Sequence, residues 1–380
     1  MHKDAQVAVV GLGAFGSAAA WRLAARGLSV FGLERYSVPH SLGSSHGGTR
    51  LFRSISQNHA DLHPLAMLSR DLWLELGELR GEDLYEQTGG LVVGPSGGQL
   101  ISDTERVLNR HAINAERLTA GGVRAEFPEF ETVDEGDVGY FDPKAGILRA
   151  ERCVSQLCAA AEQAGAELHT DVEVLGHAVG GGGVVLETSQ GEVRADKVVF
   201  ATGVWTAQLF PRLNLTPVRI PQCWFRYAAP TGGAPGMDRM PPFQRELGTR
   251  GSVWGHGAAV TDGLAKIGTH GNPRLDRRVD PDRIDREVQD HDLAFVSDLV
   301  AVAFPALDPR PAYADICLLT ETLDAQFVVG EVQERVLVAS GGSGQGFKHA
   351  TGVGEVVADL CAGAPSRVET AFISPRRLLG

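Results

Sequence analysis

The chain has 380 residues, of which 43% are hydrophobic and 22% are charged, as in ordinary globular proteins with two coupled domains. A formal net charge of −12 argues against a nucleic-acid partner, and no apolar run is long enough to predict a membrane span. The N-terminal residues lead straight into a predicted strand, and the five cysteines are scattered. We therefore expect a cytoplasmic protein with reduced thiols, no signal peptide and no metal site.

A dinucleotide-binding pattern opens the chain. It consists of an apolar run, a G-x-G-x-x-G turn, a helical segment and a second apolar run closed by an acid. Such a βαβ unit binds a pyrophosphate at the helix N-terminus. The parts, in chain order, are a strand over 6–10, the glycines Gly11, Gly13 and Gly16, a helix over 17–26, and a strand over 28–33 followed by Glu34.

Each residue of this turn has a physical purpose. Gly11 permits the tight turn, Gly13 lets the backbone approach the pyrophosphate, and Gly16 lets the helix pack closely on the strand. Glu34 is expected to accept hydrogen bonds from the ribose hydroxyls and to repel a 2′-phosphate, which disfavours NADP. The motif by itself does not separate FAD from NAD.

Helical and apolar patterns continue along the chain. Helical spacing predicts helices over 64–79, 101–113, 149–165 and 351–361. Apolar runs predict strands over 91–94, 167–174 and 197–203, a hairpin of 184–188 with 192–193 around Gly191, and a strand over 337–342.

Two other segments differ in composition from these elements. The segment 218–260 is rich in aromatic residues, proline and glycine, which indicates sheet and loops outside the dinucleotide fold. The segment 275–287 mixes charges densely, and we interpret it as solvated surface rather than a binding patch. Since dinucleotide-type strands occur at both ends and in the middle of the chain, insertions between them are expected to build a second domain.

Three stretches carry a family resemblance. They read GSSHGGTRLFR over 43–53, KIGTH over 266–270, and CLLTETLD over 317–324 with GQGFK over 344–348. Together they resemble the monomeric sarcosine oxidase and N-methyltryptophan oxidase family, which are FAD-dependent amine oxidases of the D-amino-acid oxidase superfamily. Their order and spacing match that family over essentially the whole chain.

The resemblance implies an α/β and α+β fold. A Rossmann-like FAD-binding domain is expected to be interleaved with an antiparallel-sheet substrate domain. The FAD-binding domain would be discontinuous, over 1–80, 145–215 and 325–380, and the substrate domain would comprise 81–144 and 216–324.

The resemblance also implies catalytic and substrate-binding residues. Lys266 matches a lysine that promotes oxygen reduction, since a fixed cation stabilises superoxide as it forms. His270 matches an active-site histidine, although a structural histidine fits nearly as well, and Arg50 matches an arginine beside the flavin ring. Arg53 and Lys348 match the pair that binds the substrate carboxylate. The alternative is that some of these arginines bind phosphate or form internal ion pairs.

Cys317 matches the cysteine that holds FAD covalently. A thiolate would attack the 8-methyl position of the flavin and leave a thioether, and a nearby cation would favour the thiolate. Taken alone, such a cysteine would be interpreted as a structural core residue. Other positions that the resemblance assigns to the cofactor site are Ser44, Ser45, His46, Val172, Gly344, Gly346 and Phe347.

The chain departs from the family in the substrate pocket. Leu319 and Trp254 stand where the family has tyrosines, and the run over 54–58 replaces a histidine-alanine-tyrosine segment. These changes leave the flavin chemistry intact and make sarcosine itself a poor candidate. A bulkier or cyclic substrate fits better.

The predicted function is FAD-dependent oxidation of the C–N bond of a small secondary amine or amino or imino acid, giving an imine and hydrogen peroxide. The expected partners are a small carboxylated amine and molecular oxygen, and the expected state is a monomer or small homo-oligomer. Alternatives are a flavin-dependent desaturase of a cyclic imino acid in biosynthesis, a flavin dehydrogenase with another electron acceptor, and an NAD-dependent reductase. A non-catalytic regulator is disfavoured because no structural need explains Lys266, Arg53 and Lys348 together.

Overall fold

A computed structural model describes residues 3–57, 59–228, 236–259, 263–269 and 277–379. Within them the strands are β1 (Lys3–Val10), β2 (Val30–Leu33), β3 (Thr49–Phe52), β4 (Tyr85–Glu86), β5 (Gly90–Pro95), β6 (Glu116–Thr119), β7 (Asp137–Asp142), β8 (Gly146–Arg149), β9 (Glu167–His169), β10 (Val174–Gly180), β11 (Gly183–Thr188), β12 (Gly191–Phe200), β13 (Thr216–Phe225), β14 (Phe243–Glu246), β15 (Ser252–His256), β16 (Ala265–Thr269), β17 (Tyr313–Glu321), β18 (Val328–Gln333) and β19 (Val336–Ser340).

The same residues form helices of very different length. The α-helices are α1 (Ala14–Ala25), α2 (Leu62–Arg80), α3 (Gln99–His111), α4 (Ala120–Glu126), α5 (Ala150–Gln163), α6 (Thr206–Leu209), α7 (Asp290–Ala303), α8 (Ala350–Ala362) and α9 (Arg376–Leu379). Short 3-10 helices cover Pro128–Phe130, Gly203–Trp205, Pro211–Leu213, Gly248–Arg250, Phe347–His349 and Ala371–Ile373. Among the described residues, no helix combines the length and the apolar character needed to cross a bilayer.

The first large sheet has the order β10-β11-β12-β1-β2-β9, with β19 joined to β12 and β18 to β19. Strands β9, β2, β1, β12 and β19 run parallel, while β10, β11 and β18 form antiparallel extensions. Helices α1, α5 and α8 contribute to the apolar core of this sheet. The parallel strands therefore bring Gly11, Glu34 and Ala201 to one edge, where ligands of such sheets bind.

The second large sheet has the order β17-β13-β16-β15-β14-β5-β7-β6. Its neighbours are antiparallel except for β14 and β5. Helix α7 contributes Val296, Leu299 and Val300 to the apolar core on this sheet. In a small third sheet, β3-β8-β4, no strand pairs with a strand of either large sheet.

The architecture is the predicted α/β and α+β combination. The first sheet takes its strands from 3–33, 167–200 and 328–340, and the second takes its strands from 90–142, 216–269 and 313–321. The strand pattern is therefore interleaved along the chain, while the exact domain boundaries over 1–80, 145–215, 325–380, 81–144 and 216–324 stay a prediction.

Two strand assignments differ from the sequence prediction. The predicted strand over 167–174 is interrupted after His169, because Asp171 has a positive φ of 57° and turns the chain before β10. The predicted hairpin arm over 192–193 and the first part of the predicted strand over 197–203 are one strand, β12, which ends at Phe200. The alternation of polar and apolar residues in its first half is typical of a strand, but it breaks at the consecutive charged residues Asp196 and Lys197, which concealed this continuity.

Candidate active site

A cavity of about 530 Å³ lies where the edge of the first sheet meets one face of the second. Its wall includes the turn after β1, the loop before β3, strands β13, β15, β16 and β17, and the turn after β19. A cavity of this volume, with apolar walls and a few polar groups, is typical of small-molecule and cofactor sites.

The glycine turn is packed too tightly for side chains. Gly11 has a φ of 89°, and a Cβ atom there would lie 2.6 Å from the carbonyl oxygen of Ala201. A Cβ atom on Gly16 would lie 1.7 Å from the carbonyl oxygen of Gly11. The N-terminus of α1 is thereby held against the strand, and Ser45 Oγ accepts a hydrogen bond from Ala14 N at 3.2 Å.

Glu34 anchors the turn from the end of β2. One carboxylate oxygen accepts from Leu12 N at 2.8 Å, and the other accepts from Tyr36 N at 3.1 Å. Each carboxylate oxygen can accept a second hydrogen bond, so the group can also receive ribose hydroxyls. The main-chain oxygen of Glu34 accepts from Val172 N at 2.9 Å, which places Val172 in the same wall. These features fit the adenosine and pyrophosphate of FAD.

Lys266 lies on β16 and is only 2% exposed. Its Nζ donates to the carbonyl oxygens of Gly47 at 2.7 Å and Thr49 at 3.2 Å, and lies 4.8 Å from the centre of the Trp224 ring. Burial, and secondarily the charge of Arg50, hold the pKa of Lys266 well below its ordinary value. These contacts fix the Lys266 amine in the cavity wall. The two carbonyl oxygens carry no net charge, so they do not neutralise a charge on the amine.

Arg50 connects several parts of the wall. Its guanidinium donates to the carbonyl oxygens of Thr49 and Ser44, each at 2.8 Å, and to Gln222 Oε1 at 3.2 Å. Nη2 also lies 3.7 Å from Cys317 Sγ. Burial raises the pKa of the Cys317 thiol, and the positive charges of Arg50 and Lys266 oppose that rise.

A second cationic pair, Arg53 and Lys348, also lines the cavity. Lys348 Nζ donates to Arg53 O and to Ser56 Oγ, each at 3.0 Å, and Arg53 Nη1 donates to Gln57 Oε1 at 3.0 Å. The Nε atom of Arg53 is buried and has no hydrogen-bond acceptor in the described part of the chain. Burial lowers the pKa of Arg53 to about 10, opposed by Asp142. Burial, then repulsion from Arg53, holds the pKa of Lys348 well below its ordinary value.

The second sheet supplies an aromatic wall. Trp254 on β15 is opposite Gly268 on β16, where a Cβ atom would lie only 2.4 Å from Cζ2 of the indole. The indole therefore covers Gly268 and needs a residue without a side chain there. Leu319 on β17 lines the same cavity and has no polar group to offer.

The predicted site residues mostly meet in this cavity. Gly16 packs behind the glycine turn, His46 lies behind the wall with Nδ1 3.4 Å from Asp315, and His270 lies outside the described residues. Burial, and secondarily Arg50, lowers the pKa of His46 to about 4. The predicted residues that line the cavity are Gly11, Gly13, Glu34, Ser44, Ser45, Arg50, Arg53, Val172, Trp254, Lys266, Cys317, Leu319, Gly344, Gly346, Phe347 and Lys348.

His256 is a polar residue of the wall that the sequence prediction missed. It is the cross-strand neighbour of Lys266 and is 3% exposed. Because Gly257 O can only accept, His256 Nδ1 donates to it at 2.6 Å, and Nε2 accepts from Thr49 Oγ1 at 2.8 Å. Burial lowers its pKa to about 4. His256 follows Trp254 by two residues on β15, so the two side chains lie on the same face of the sheet. This spacing is the signal that could have revealed His256.

The described part of the segment 275–287 is largely exposed, as predicted, but some of its charged groups also contact other parts of the protein. Asp282 lines the cavity and accepts from Trp205 Nε1 at 2.9 Å, and Arg286 donates to Leu42 O at 2.7 Å. Charged groups of this segment therefore pair with the first sheet's loops rather than only with water. A dense mixture of charges does not distinguish these two cases.

The sequence profile of the FAD dependent oxidoreductase family matches residues 6–360. The chain belongs to this family. Its curated relatives include a monomeric sarcosine oxidase from Bacillus sp. (strain B-0618), 30% identical over 99% of this chain and 97% of the relative. They also include an N-methyl-L-tryptophan oxidase from Yersinia pestis, 28% identical over 98% of this chain and 99% of the relative. The predicted class, an FAD-dependent amine oxidase acting on a C–N bond, is confirmed.

Solved structures with the same fold cover nearly the whole chain. NikD, described as an unusual amino acid oxidase essential for nikkomycin biosynthesis, has a TM-score of 0.82 at 23% identity, covering 98% of each chain. The L-proline dehydrogenase from P. horikoshii has a TM-score of 0.84 at 20% identity, covering 99% of this chain and 98% of that one. These likenesses support the fold, including the FAD-binding domain.

Changing Glu34 to Gln tests the anchor of the glycine turn. The amide introduced by this change has only one oxygen. Its NH₂ group would therefore face the N–H group of either Leu12 or Tyr36, which is also a donor. We expect the flavin-free protein to lose about 1–3 kcal/mol of its free energy of unfolding, and the flavin content after desalting to fall. Thermal unfolding and absorbance measure both. Glu173→Gln is the matched control, because Glu173 is half-exposed at the rim of the cavity. If Glu34→Gln had the same free energy of unfolding and the same flavin content as wild type, Glu34 would not anchor the turn.

Proposed function

We propose that this protein oxidises the C–N bond of a small carboxylated secondary or cyclic amine and passes the electrons to molecular oxygen. The amine loses two electrons and two protons to become an imine, and oxygen gains both to become hydrogen peroxide. The observation that carries the proposal is one cavity that joins a dinucleotide turn to two cationic pairs, each with a buried lysine: Arg53 with Lys348 and Arg50 with Lys266. Bound FAD supplies the two-electron redox chemistry.

Arg53 and Lys348 would bind the substrate carboxylate. Arg53 Nε is a buried donor without an acceptor in the described residues, and Lys348 Nζ uses two protein acceptors while an ammonium group has three donors. A carboxylate would satisfy these donors and offset two buried like charges. Fixing that carboxylate would hold the amine-bearing carbon in one position in the cavity.

The walls favour a substrate larger than sarcosine. Trp254 offers a flat apolar surface over Gly268, and Leu319 offers an aliphatic one. A small polar ligand would bind weakly to either surface, because the favourable free energy of contact is proportional to the apolar area that is buried. A ring or a bulky N-substituent would use this area, which supports a cyclic imino acid or an N-substituted amino acid as substrate.

Lys266 would stabilise negative charge on oxygen as it is reduced. Its position is fixed before reaction by Gly47, Thr49 and Trp224, so little reorganisation is needed when charge develops. Cys317 would hold the flavin as a thioether, with Arg50 beside Sγ favouring the reactive thiolate. The residues Gly11, Gly13, Glu34, Ser44, Ser45, Val172, Gly344, Gly346 and Phe347 would hold the rest of the cofactor.

The substrate class is tested by peroxide release from N-methyl, cyclic and primary amino acids, each beside its decarboxylated counterpart. We expect carboxylated secondary or cyclic amines to be oxidised fastest. Arg53→Ala should lower kcat/KM for them about 100-fold, because a buried charged hydrogen bond is lost. The decarboxylated amine, which cannot use Arg53, is the matched control. An equal loss for both substrates would contradict carboxylate binding, and absence of peroxide with electron transfer to a quinone would indicate a dehydrogenase.

The covalent link is tested by acid precipitation. Wild-type protein should precipitate yellow, whereas Cys317→Ala should release its flavin into the supernatant because the thioether cannot form. Cys223→Ala is the matched control, since Cys223 is equally buried but belongs to the apolar core of the second sheet. Flavin in the wild-type supernatant would refute the link.

The role of Lys266 is tested by Lys266→Met in stopped-flow experiments. Reoxidation of the reduced protein by oxygen should slow about 100-fold, the effect of removing one fixed stabilising group, while reduction by substrate changes little. Lys197→Met is the control, because Lys197 Nζ also donates to a carbonyl oxygen, that of Cys361 at 2.7 Å, away from the cavity. Equal slowing of both half-reactions would argue against this role.

A further inference from the structure

The cavity wall contains a buried amide donor that the proposed function does not use. Gln222 lies on β13, is 3% exposed and lines the cavity. Its Nε2 atom is buried and has no hydrogen-bond partner within the described residues. Buried polar groups in native proteins are nearly always satisfied, so an orphan donor in a cavity wall indicates a missing acceptor.

The orientation of this amide follows from chemistry. Arg50 Nη1 lies 3.2 Å from the side chain of Gln222, and a guanidinium can only donate. The amide atom that faces Arg50 must therefore be the oxygen, and the NH₂ group is the free end. The side chain also packs against Gly47, where a Cβ atom would lie 2.5 Å from Oε1 and 2.8 Å from Nε2. Gly47 thus leaves room for the amide.

The position of Gln222 favours the cofactor over the substrate as its partner. Its neighbour two residues earlier on β13, Ile220, is the cross-strand partner of Cys317, and alternate strand residues lie roughly 7 Å apart on one face. Arg50 contacts both Gln222 Oε1 and Cys317 Sγ. A three-ring system held at Cys317 is long enough to cover this spacing.

We propose that Gln222 binds the isoalloxazine ring of FAD, its Nε2 donating a hydrogen bond to an acceptor atom of the ring. This inference rests on the proposed FAD site. The ring gains electron density when reduced, so a donor there stabilises the reduced form more than the oxidised form. Gln222 would thereby raise the tendency of the bound flavin to accept electrons from the amine.

The test compares Gln222→Leu with wild type, both loaded with FAD. The equilibrium constant for reduction against a reference dye should fall about tenfold, as expected when one hydrogen bond to a charged acceptor is lost. Infrared spectra should show a flavin carbonyl or ring band shifted to higher frequency. Gln244→Leu is the matched control, because Gln244 is a buried glutamine of the same sheet outside the cavity wall.

Other outcomes discriminate between explanations. If Gln222→Leu leaves both the reduction equilibrium and the flavin bands unchanged, the inference is wrong while the proposed function stands. If only the acid-stable flavin fraction falls, Gln222 acts through Arg50 and the hydrogen bond to the ring is refuted. Should Gln222→Leu not fold, Gln222→Met removes the same donor with a flexible side chain. Wild-type protein that neither contains nor takes up FAD would instead refute the proposed function.

Discussion

The hydrogen bond from Lys266 to the carbonyl oxygen of Gly47 is the contact on which the arrangement of the cavity depends. It joins the second sheet to the loop that follows the dinucleotide unit. Glu151 holds the other side of the same loop by accepting from Gly47 N at 2.7 Å and from Gly48 N. With both sides fixed, Arg50 is placed where it contacts Cys317, and the two walls keep one geometry.

The cost of this geometry is a concentration of buried positive charge. Lys266 and Lys348 are both 2% exposed, and Arg50 and Arg53 lie beside them. Isolated buried charges are unfavourable, and carbonyl acceptors offset only part of that cost. A site of this kind binds anions and developing negative charge strongly, since the protein has already met the cost of orienting its donors. The buried charges lower the folding stability, which is the cost of holding these donors oriented before a ligand binds.

The sequence predicted the chemistry better than the details of the wall. Gly11, Gly16 and Glu34 follow from local spacing, because strand, turn and helix are consecutive. Juxtapositions such as Arg53 with Lys348 join residues far apart in the chain, and the resemblance alone indicated them. Gln222 escaped notice because an isolated polar residue in a strand has no local signal. His256 had only a weak one, its spacing of two residues from Trp254, and its place beside Lys266 follows from the register of β15 and β16.

The interleaved strand order also constrains how the protein is made. Strand β19 joins the first sheet beside β12, and Lys348, which follows β19 in the chain, lines the cavity. A ribosome-bound chain therefore lacks one side of the cavity until Lys348 has been synthesised. Long-range pairing of this kind is slow to form. A chain that ends before β19 lacks this wall and is left with an open, unfinished groove.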